Sequence, residues 1–384
     1  MRVRTRLCLF TASPEPSGVG EHMLTLAAGL CDDYAVSFVC PQTPGGKAVL
    51  ARARAMGLDT LALDMGDADR VGSPLVRWLR DRQIAVFHCH AGIAWEGHSG
   101  VYAARVAGVP TVIRTEHLPH SLIPDEAGRR HYRYLADELD ALIGVSAAVG
   151  ASYVTGGVSP EKVHVVRNGI PILPRRIGSP DVEMWKGLGL PPGSRIALTV
   201  ARLTAQKGHG DLLEAVPRVL ARVPEAQFVW VGEGPLAREL RTRARSLGVA
   251  THVHLLGRRR DVATLLDASH LFVLPSRFEG LPLAPLEAMV AGVPVVGTDV
   301  CGTAEVVTNR VTGRLVAAGS PRLLAAAIAD ALERPDSARR WGAAGRLRVE
   351  RHFTAERMVG ETAACYEATR ARHMQRAYEE IAAD

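Results

Sequence analysis

One rhythm constrains this chain more than any other feature, and it runs twice. Short, nearly continuous apolar runs recur at LCLFTA (7–12), AVSFVCP (35–41), TLALDM (60–65), AVFHCH (85–90), TVIRTEH (111–117), ALIGVS (141–146) and VHVVRN (163–168). Amphipathic stretches of about 10–15 residues separate most of them. A strand that is apolar on both faces must be covered on both faces. Strands of that kind alternating with helices make a parallel sheet with helices above and below. The segment PILPRRIGSPD (171–181) then interrupts the pattern with three prolines and two arginines, and reads as a linker. Beyond it the rhythm restarts at IALTVARL (196–203), QFVWVGEG (227–234), VHLLGR (253–258), LFVLPS (271–276), PVVGTD (294–299) and GRLVAA (313–318). From Phe353 onward the composition is helical with no strand. The expected architecture is α/β, with two doubly wound Rossmann-like domains facing a cleft. A first domain spans 1–172, a linker 173–185, a second domain 186–352 and a C-terminal helix 353–384. Ligands of such sheets bind outside the carboxyl ends of the strands, and two such sheets place their site in the cleft.

Composition narrows the class. At 384 residues, with 47% hydrophobic and 22% charged content, the chain is a globular protein of two domains. No apolar run approaches the ~18 residues of a membrane span. The six cysteines are scattered without a CxxC pair, so neither a disulfide framework nor a zinc site is expected, and the predicted location is the cytoplasm. The net charge of +6 is uneven: the first 174 residues hold 17 basic and 17 acidic side chains, so the whole excess lies beyond them. A basic half can serve nucleic acid, anionic membrane or phosphorylated ligands. With no aromatic RNA-binding signature and no long basic tract, nucleic acid ranks last. Only four residues, at 47, 162, 186 and 207, are lysines. That rarity draws attention to Lys207 beside Gly208.

Distinctive residues fall at strand ends. In VARLTAQKGHGDLL (200–213) a strand is expected to end at Arg202, followed by a loop with Lys207 and Gly208 and then a helix. Free amides and the helix dipole suit phosphate there, and Arg202 and Lys207 add charge-assisted hydrogen bonds. The competing reading is a solvated basic loop. In PSRFEGLPLAPLEAM (275–289), Pro285 fits a first helical turn and places Glu287 within it. An acidic residue there is common for dipole reasons alone. Glu279 precedes Gly280, where backbone can approach a ligand, and amides of Gly280, Leu281 and Leu283 can face an anion. A carboxylate accepting from two vicinal hydroxyls is a usual way to hold a ribose. Near the N-terminus, Gly18-Val19-Gly20 in a predicted loop is a weak dinucleotide fingerprint but suits close approach to a diphosphate. His117 ends a strand and His120 follows; both read equally well as site or loop histidines. His88 and His90 share a strand face, but a third metal ligand is not evident. Asp67-Ala68-Asp69 reads as a solvated turn. VRWLRDRQI (76–84) carries Trp78, Leu79 and Ile84 among three arginines, so it either packs Trp78 inward or touches anionic lipid.

Taken together, PSRFEGLPLAPLEAMVAGVPVVGTD resembles the signature of retaining glycosyltransferases of family 4, which have the GT-B fold. SGVGEHMLTLAAGL, FHCHAG, TEH, IGVSAAV, VVRNGIP, ARLTAQKGH, VGEGP and CGTAEVV fit the same family in the same order. The resemblance implies roles. Arg202 and Lys207 hold the donor diphosphate, Glu287 the ribose hydroxyls, and Glu279 sits near the sugar and phosphates with Gly280, Leu281, Pro282 and Leu283 around it. His117 lies near the transferred sugar, Gly18 and Gly20 close over the diphosphate, and the C-terminal helix returns to the N-terminal domain, which binds the acceptor. It further implies transfer with retention from a nucleotide-diphosphate-sugar, UDP-sugar ahead of GDP-sugar, to a hydroxyl acceptor, lipid-linked acceptors included. No metal and no other cofactor is expected, since Arg202, Lys207 and loop amides stabilise the leaving group. Glycan, glycolipid or glycosylated-metabolite synthesis, at the cytoplasmic face of a membrane or free of it, is the implied setting. Ser17 and Ala304 depart from the family's usual glycine and proline without removing a charged contact. The alternatives are a nucleotide-sugar epimerase on the same scaffold, against which the glutamate pair argues, and a non-catalytic nucleotide-sugar binder, which would be expected to have lost Arg202, Lys207 or Glu279.

Overall fold

The computed structural model describes residues 4–64, 68–93, 95–172 and 182–383. Asp67 and the stretch 173–181, which includes most of the expected linker, lie outside the described residues. The chain divides into two compact units: Met1–Pro171 with Ala355–Asp384, and Ile172–Thr354.

The first unit runs β1 (Thr5–Thr11), α1 (Ser17–Leu30), β2 (Tyr34–Pro41), α2 (Pro44–Ala55), β3 (Asp59–Leu63), α3 (Ala68–Asp81), β4 (Val86–Ala91), α4 (His98–Val106), β5 (Thr111–Glu116), α5 (Glu126–Asp137), β6 (Ala141–Gly144), α6 (Ala147–Thr155) and β7 (Val163–Val165). The second runs α7 (Val182–Gly187), β8 (Arg195–Val200), α8 (His209–Leu220), β9 (Ala226–Val231), α9 (Ala237–Ser246), β10 (Val253–Gly257), α10 (Val262–Asp267), β11 (Leu271–Leu274), α11 (Leu283–Val290), β12 (Val295–Thr298), α12 (Cys301–Val306), β13 (Gly313–Val316), α13 (Pro321–Glu333) and α14 (Pro335–His352). The last helix, α15 (Ala355–Ala383), belongs to the first unit.

Both sheets are parallel. The first has the order β3-β2-β1-β4-β5-β6-β7 and the second β10-β9-β8-β11-β12-β13. Each strand predicted from apolar continuity is present, but several end early. β8 stops at Val200 rather than Arg202, and β5 at Glu116. Each unit closes its own core: Leu7, Met23, Phe38, Ile113 and Tyr366 in the first, Leu212, Phe228, Trp230, Leu271 and Ile328 in the second.

α15 earns its place in the first unit chemically. Met358, Cys365 and Tyr366 join that core. The Tyr366 hydroxyl lies 2.6 Å from His88 Nδ1, and the Tyr34 hydroxyl donates to Glu367 at 2.6 Å. Trp78 and Leu79 in α3 and Ile84 just beyond it are buried, and the Arg82 guanidinium lies 4.3 Å from the Trp78 ring. That segment therefore offers no apolar face to a membrane, and the inward packing of Trp78 is the reading that holds.

Candidate functional site

In each sheet the strand order reverses direction at one point, between β8 and β11 in the second unit and between β1 and β4 in the first. The loops leaving those strands flank the crevice where doubly wound sheets take ligands.

In the second unit the loop after β8 is fixed by backbone bonds. Ala201 N–H donates to Val231 O at 3.0 Å and Leu203 N–H to Glu233 O at 2.9 Å. It turns into α8 through Gly208, which has φ +66° and whose added Cβ would lie 1.9 Å from the Pro275 carbonyl oxygen. The loop after β11 therefore touches it backbone to backbone. Arg277 N–H donates to Gln206 O at 2.8 Å, and Gln206 Nε2 donates to Phe278 O at 3.2 Å. This lacing brings together residues far apart in the chain. Lys207 Nζ donates to Glu279 Oε1 at 2.5 Å, and Ser276 Oγ donates to the same oxygen at 2.6 Å. Glu279 is only 4% exposed, yet its charge is balanced by the lysine. The Thr298 hydroxyl ties the Ser276 carbonyl to β12. Arg202 is exposed and pairs with no carboxylate among the described residues, whereas Arg277 is engaged by Asp211 at 3.2 Å.

The second loop ends at Pro282, whose ψ of 136° is extended, and α11 starts at Leu283. Its first-turn amides have no intrahelical acceptor and carry the positive end of the helix dipole. Gly280 is approached from α12: a Cβ on Gly302 would stand 1.7 Å from the Gly280 carbonyl oxygen. One expectation is corrected here. Pro285 is the third helical residue and Glu287 the fifth, so Glu287 lies beyond the first turn, which holds no acidic residue. Pro282 supplies the extended residue that starts the helix, moving its origin forward. Dipole stabilisation thus does not account for Glu287. The site also holds a group that sequence reasoning missed. His209, fully buried at the start of α8, has no hydrogen-bond partner on either ring nitrogen, and packs edge-on to Trp230 at 5.1 Å. Burial, helped by the Lys207 charge, lowers its pKa to about 4.

In the first unit the predicted Gly18 loop is helix. α1 begins at Ser17, and Gly18 lies in its first turn, exposed and with open space where a side chain would be. Gly20 serves packing instead: a Cβ there would meet Val49 Cγ2 at 2.8 Å. Pro16, at the cap, pre-sets the chain for helix one residue before α1 starts and two before Gly18. The loop after β4 is held by Glu96, whose Oε2 accepts from Gly92 N–H at 2.8 Å and Ile93 N–H at 3.3 Å. Behind it lies a fully buried ion pair between Arg114 and Glu116. Tyr132 donates to Glu116 Oε1 at 2.6 Å, and Arg114 donates to the Glu96 carbonyl at 2.7 Å.

Four histidines sit at the same edge. His88 is fully committed, with Nδ1 on Tyr366 and Nε2 2.7 Å from Thr115 Oγ1. It is a packing residue rather than the metal ligand its spacing allowed. His117 is half-buried, with Nε2 3.5 Å from His90 Nδ1. The third histidine is His22 from α1, whose ring lies 4.8 Å from that of His117. Burial pushes His88, His90 and His117 well below the ordinary imidazole range, and His22 to about 4, so all four are neutral at pH 7. His120 is buried against Tyr132 and Tyr153, which makes it a loop-packing residue.

Comparison with known proteins bears on this arrangement. Residues 16–172 match the family model described as Glycosyltransferase Family 4, and residues 183–348 that described as Glycosyl transferases group 1. The chain belongs to glycosyltransferase family 4. It is similar to the alpha-maltose-1-phosphate synthase of Mycolicibacterium smegmatis, at 29% identity over 94% of this chain and 98% of the relative. It is also similar to the UDP-Gal:alpha-D-GlcNAc-diphosphoundecaprenol alpha-1,3-galactosyltransferase of Escherichia coli, at 30% identity over 63% of this chain and 65% of the relative. Its fold matches that of HepE from Anabaena, solved in complex with UDP and glucose, with a TM-score of 0.83 at 20% identity, covering 95% of this chain and 100% of that one. The fold is GT-B, built from two Rossmann-like domains. As a family 4 member the protein is a hexosyltransferase that uses nucleotide-sugar donors. Among the described residues no helix is long and apolar enough to cross a membrane.

Proposed function

We propose that the protein transfers a hexose with retention from a UDP-sugar, or failing that a GDP-sugar, to a hydroxyl acceptor. The observation that carries this reading is the convergence of Lys207 and Ser276 on Glu279, with Arg202 exposed nearby in sequence, at the loops flanking the β8/β11 reversal. The donor diphosphate is assigned to Arg202, Lys207 and the amides from Gly280 through Leu283. Lys207 is fixed by Glu279 before the ligand arrives, and preorganised positive groups of this kind are what leaving-group stabilisation needs. Glu279 takes one of the three Lys207 N–H donors, and a diphosphate would share the lysine rather than displace it. Glu287 is assigned the ribose hydroxyls and Glu279 the sugar, with Pro282 shaping the loop between them. His117 keeps the role the resemblance implies, near the transferred sugar, and Gly18 lets backbone approach the diphosphate. The first unit is assigned the acceptor. The occurrence of an undecaprenyl-linked acceptor in the name of the Escherichia coli relative supports including lipid-linked acceptors and a peripheral membrane setting.

In the transfer, the bond between the anomeric carbon and the β-phosphate oxygen breaks as the acceptor oxygen forms its bond on the same face. The acceptor proton passes to a phosphate oxygen of the departing nucleotide. No protein nucleophile and no metal takes part in this reading, because Arg202, Lys207 and the helix amides supply the positive charge. The test is calorimetric titration of UDP, GDP and ADP without metal, with Glu287→Ala as control. Micromolar binding of one nucleotide, lost in Glu287→Ala, is the expected result. No binding of any of the three, in a folded protein, would overturn the assignment. The division between the glutamates predicts that Glu279→Ala lowers kcat more than it weakens nucleotide binding. Equal losses of binding in both variants would remove that division.

A further inference from the structure

We propose that His22, His90 and His117 form a binding site for a borderline-soft divalent cation of the zinc class. Each offers one ring nitrogen, and the three nitrogens lie within 4.8 Å of one another. They come from three different elements, α1, β4 and the residue just past β5, and the two strands are hydrogen-bonded neighbours, so the spacing is set by the sheet. Bonds of about 2.0–2.1 Å from zinc to imidazole in a tetrahedron place neighbouring nitrogens roughly 3.3 Å apart. His90 and His117, at 3.5 Å, already meet that spacing. Binding requires the longer distances, up to 4.8 Å, to shorten by rotation of the rings.

An outer partner is in place at His22. His22 Nδ1 lies 2.9 Å from Asn168 Oδ1, a bond that leaves a proton on Nδ1 and a lone pair on Nε2. Such partners orient ligand imidazoles and raise their basicity. His90 is fully buried; the nitrogen it turns to His117 is Nδ1, and its other nitrogen, Nε2, finds no partner. His88 stands 4.0 Å behind the His90 ring with both nitrogens occupied, so it fixes that ring without adding a ligand. The nearest carboxylate in sequence, Glu116, is held by Arg114 and Tyr132 through Oε1, while its Oε2 is buried without a partner. An all-nitrogen set with one open position selects zinc, cobalt, nickel or copper over magnesium and calcium. The site rests on residues of the first unit alone and does not depend on the donor assignment, but it shares His117 with the sugar position proposed above. A bound cation would tie up His117.

The test uses the full chain after alkylation of accessible thiols, since Cys301 is exposed. Co2+ is titrated and read by its visible ligand-field absorption, then displaced by Zn2+. The expected result is one cobalt per chain with the intense bands of a four-coordinate ion. Those bands disappear in His117→Ala, a half-buried position whose loss leaves the core intact by circular dichroism. Asn168→Ala is expected to weaken binding about 10–100-fold. A six-coordinate, weak spectrum in the unmodified chain, or intense bands that persist in His117→Ala, would overturn the proposal.

Discussion

Two glycines with nearly the same backbone conformation separate strain from site geometry. Gly208 has φ +66° and Gly248 φ +68°, so alanine at either incurs about the same left-handed cost of about 1–2 kcal/mol. At Gly248 nothing lies within 4 Å of the added carbon. At Gly208 it would stand 1.9 Å from the Pro275 carbonyl oxygen, where real contacts stay above 3.0 Å. The two loops must part by roughly 1 Å, and Lys207 is the residue next to the point of parting. Its 2.5 Å bond to Glu279 then approaches the edge of hydrogen-bond range. Weakening a charge-assisted bond to a buried carboxylate costs about 1.5–3 kcal/mol more. Gly208→Ala should therefore lose about 3–5 kcal/mol in urea unfolding, against about 1–2 for Gly248→Ala. A displacement near 1 Å in positioning groups can cost about 100-fold in rate. Turnover with the best nucleotide-sugar should fall by about that factor in Gly208→Ala and stay unchanged in Gly248→Ala. If the two variants lose turnover equally, the backbone contact between the loops does not position Lys207 and the reasoning fails.

Other outcomes follow from the same geometry. His209 is neutral when folded, with a pKa near 4, but near 6.5 when unfolded; its contribution is full above pH 6.5 and is lost as pH falls toward 4, by about 3 kcal/mol. Between pH 7.5 and 4.5 urea titrations should show a smaller loss in His209→Leu than in the unmodified chain, with little cost at pH 7.5, because neither ring nitrogen has a partner to lose. EDTA should leave turnover intact; complete loss, restored by added metal, would count against charge stabilisation by Arg202 and Lys207 alone. Tyr366→Phe strands a buried nitrogen of His88 and should destabilise the first unit by about 1–3 kcal/mol in urea unfolding, and a change under about 0.5 would show that the bond is not made.

Much of this fold was legible because parallel sheets write themselves as apolar runs. The loop ends were not, since a run such as TVIRTEH reads as strand until something says where its cover stops. The same run hid the Arg114–Glu116 pair: the two residues share a strand face by simple alternation, but no pattern says that the face is buried. Lys207 and Glu279 were legible separately, as a rare lysine beside glycine and a glutamate before one. Their bond was not, because it spans two loops that meet only through the strand order. Glu287 lies beyond the first turn rather than within it, because α11 starts at Leu283 and the sequence offers both Pro282 and Pro285 near a helix start. His22 gave no signal on its own. It lies on a helix with ordinary apolar spacing, and its neighbours His90 and His117 come from strands that meet it only in three dimensions.

The position of α15 has a consequence for how the protein is made. The first unit is split in sequence, with 172–354 inserted before its last helix. On a ribosome the complete second unit emerges before α15 does, so it can finish folding while the N-terminal sheet still lacks one cover. Until then Leu26 and Ala27 on α1 and the imidazole of His88 wait without Met358 and Tyr366. The half of the chain that is synthesised first is thus the half that is completed last. A fragment ending near Thr354 should yield a sound second unit attached to a sticky, unfinished first one, whereas 172–354 alone carries every strand and helix of its own core.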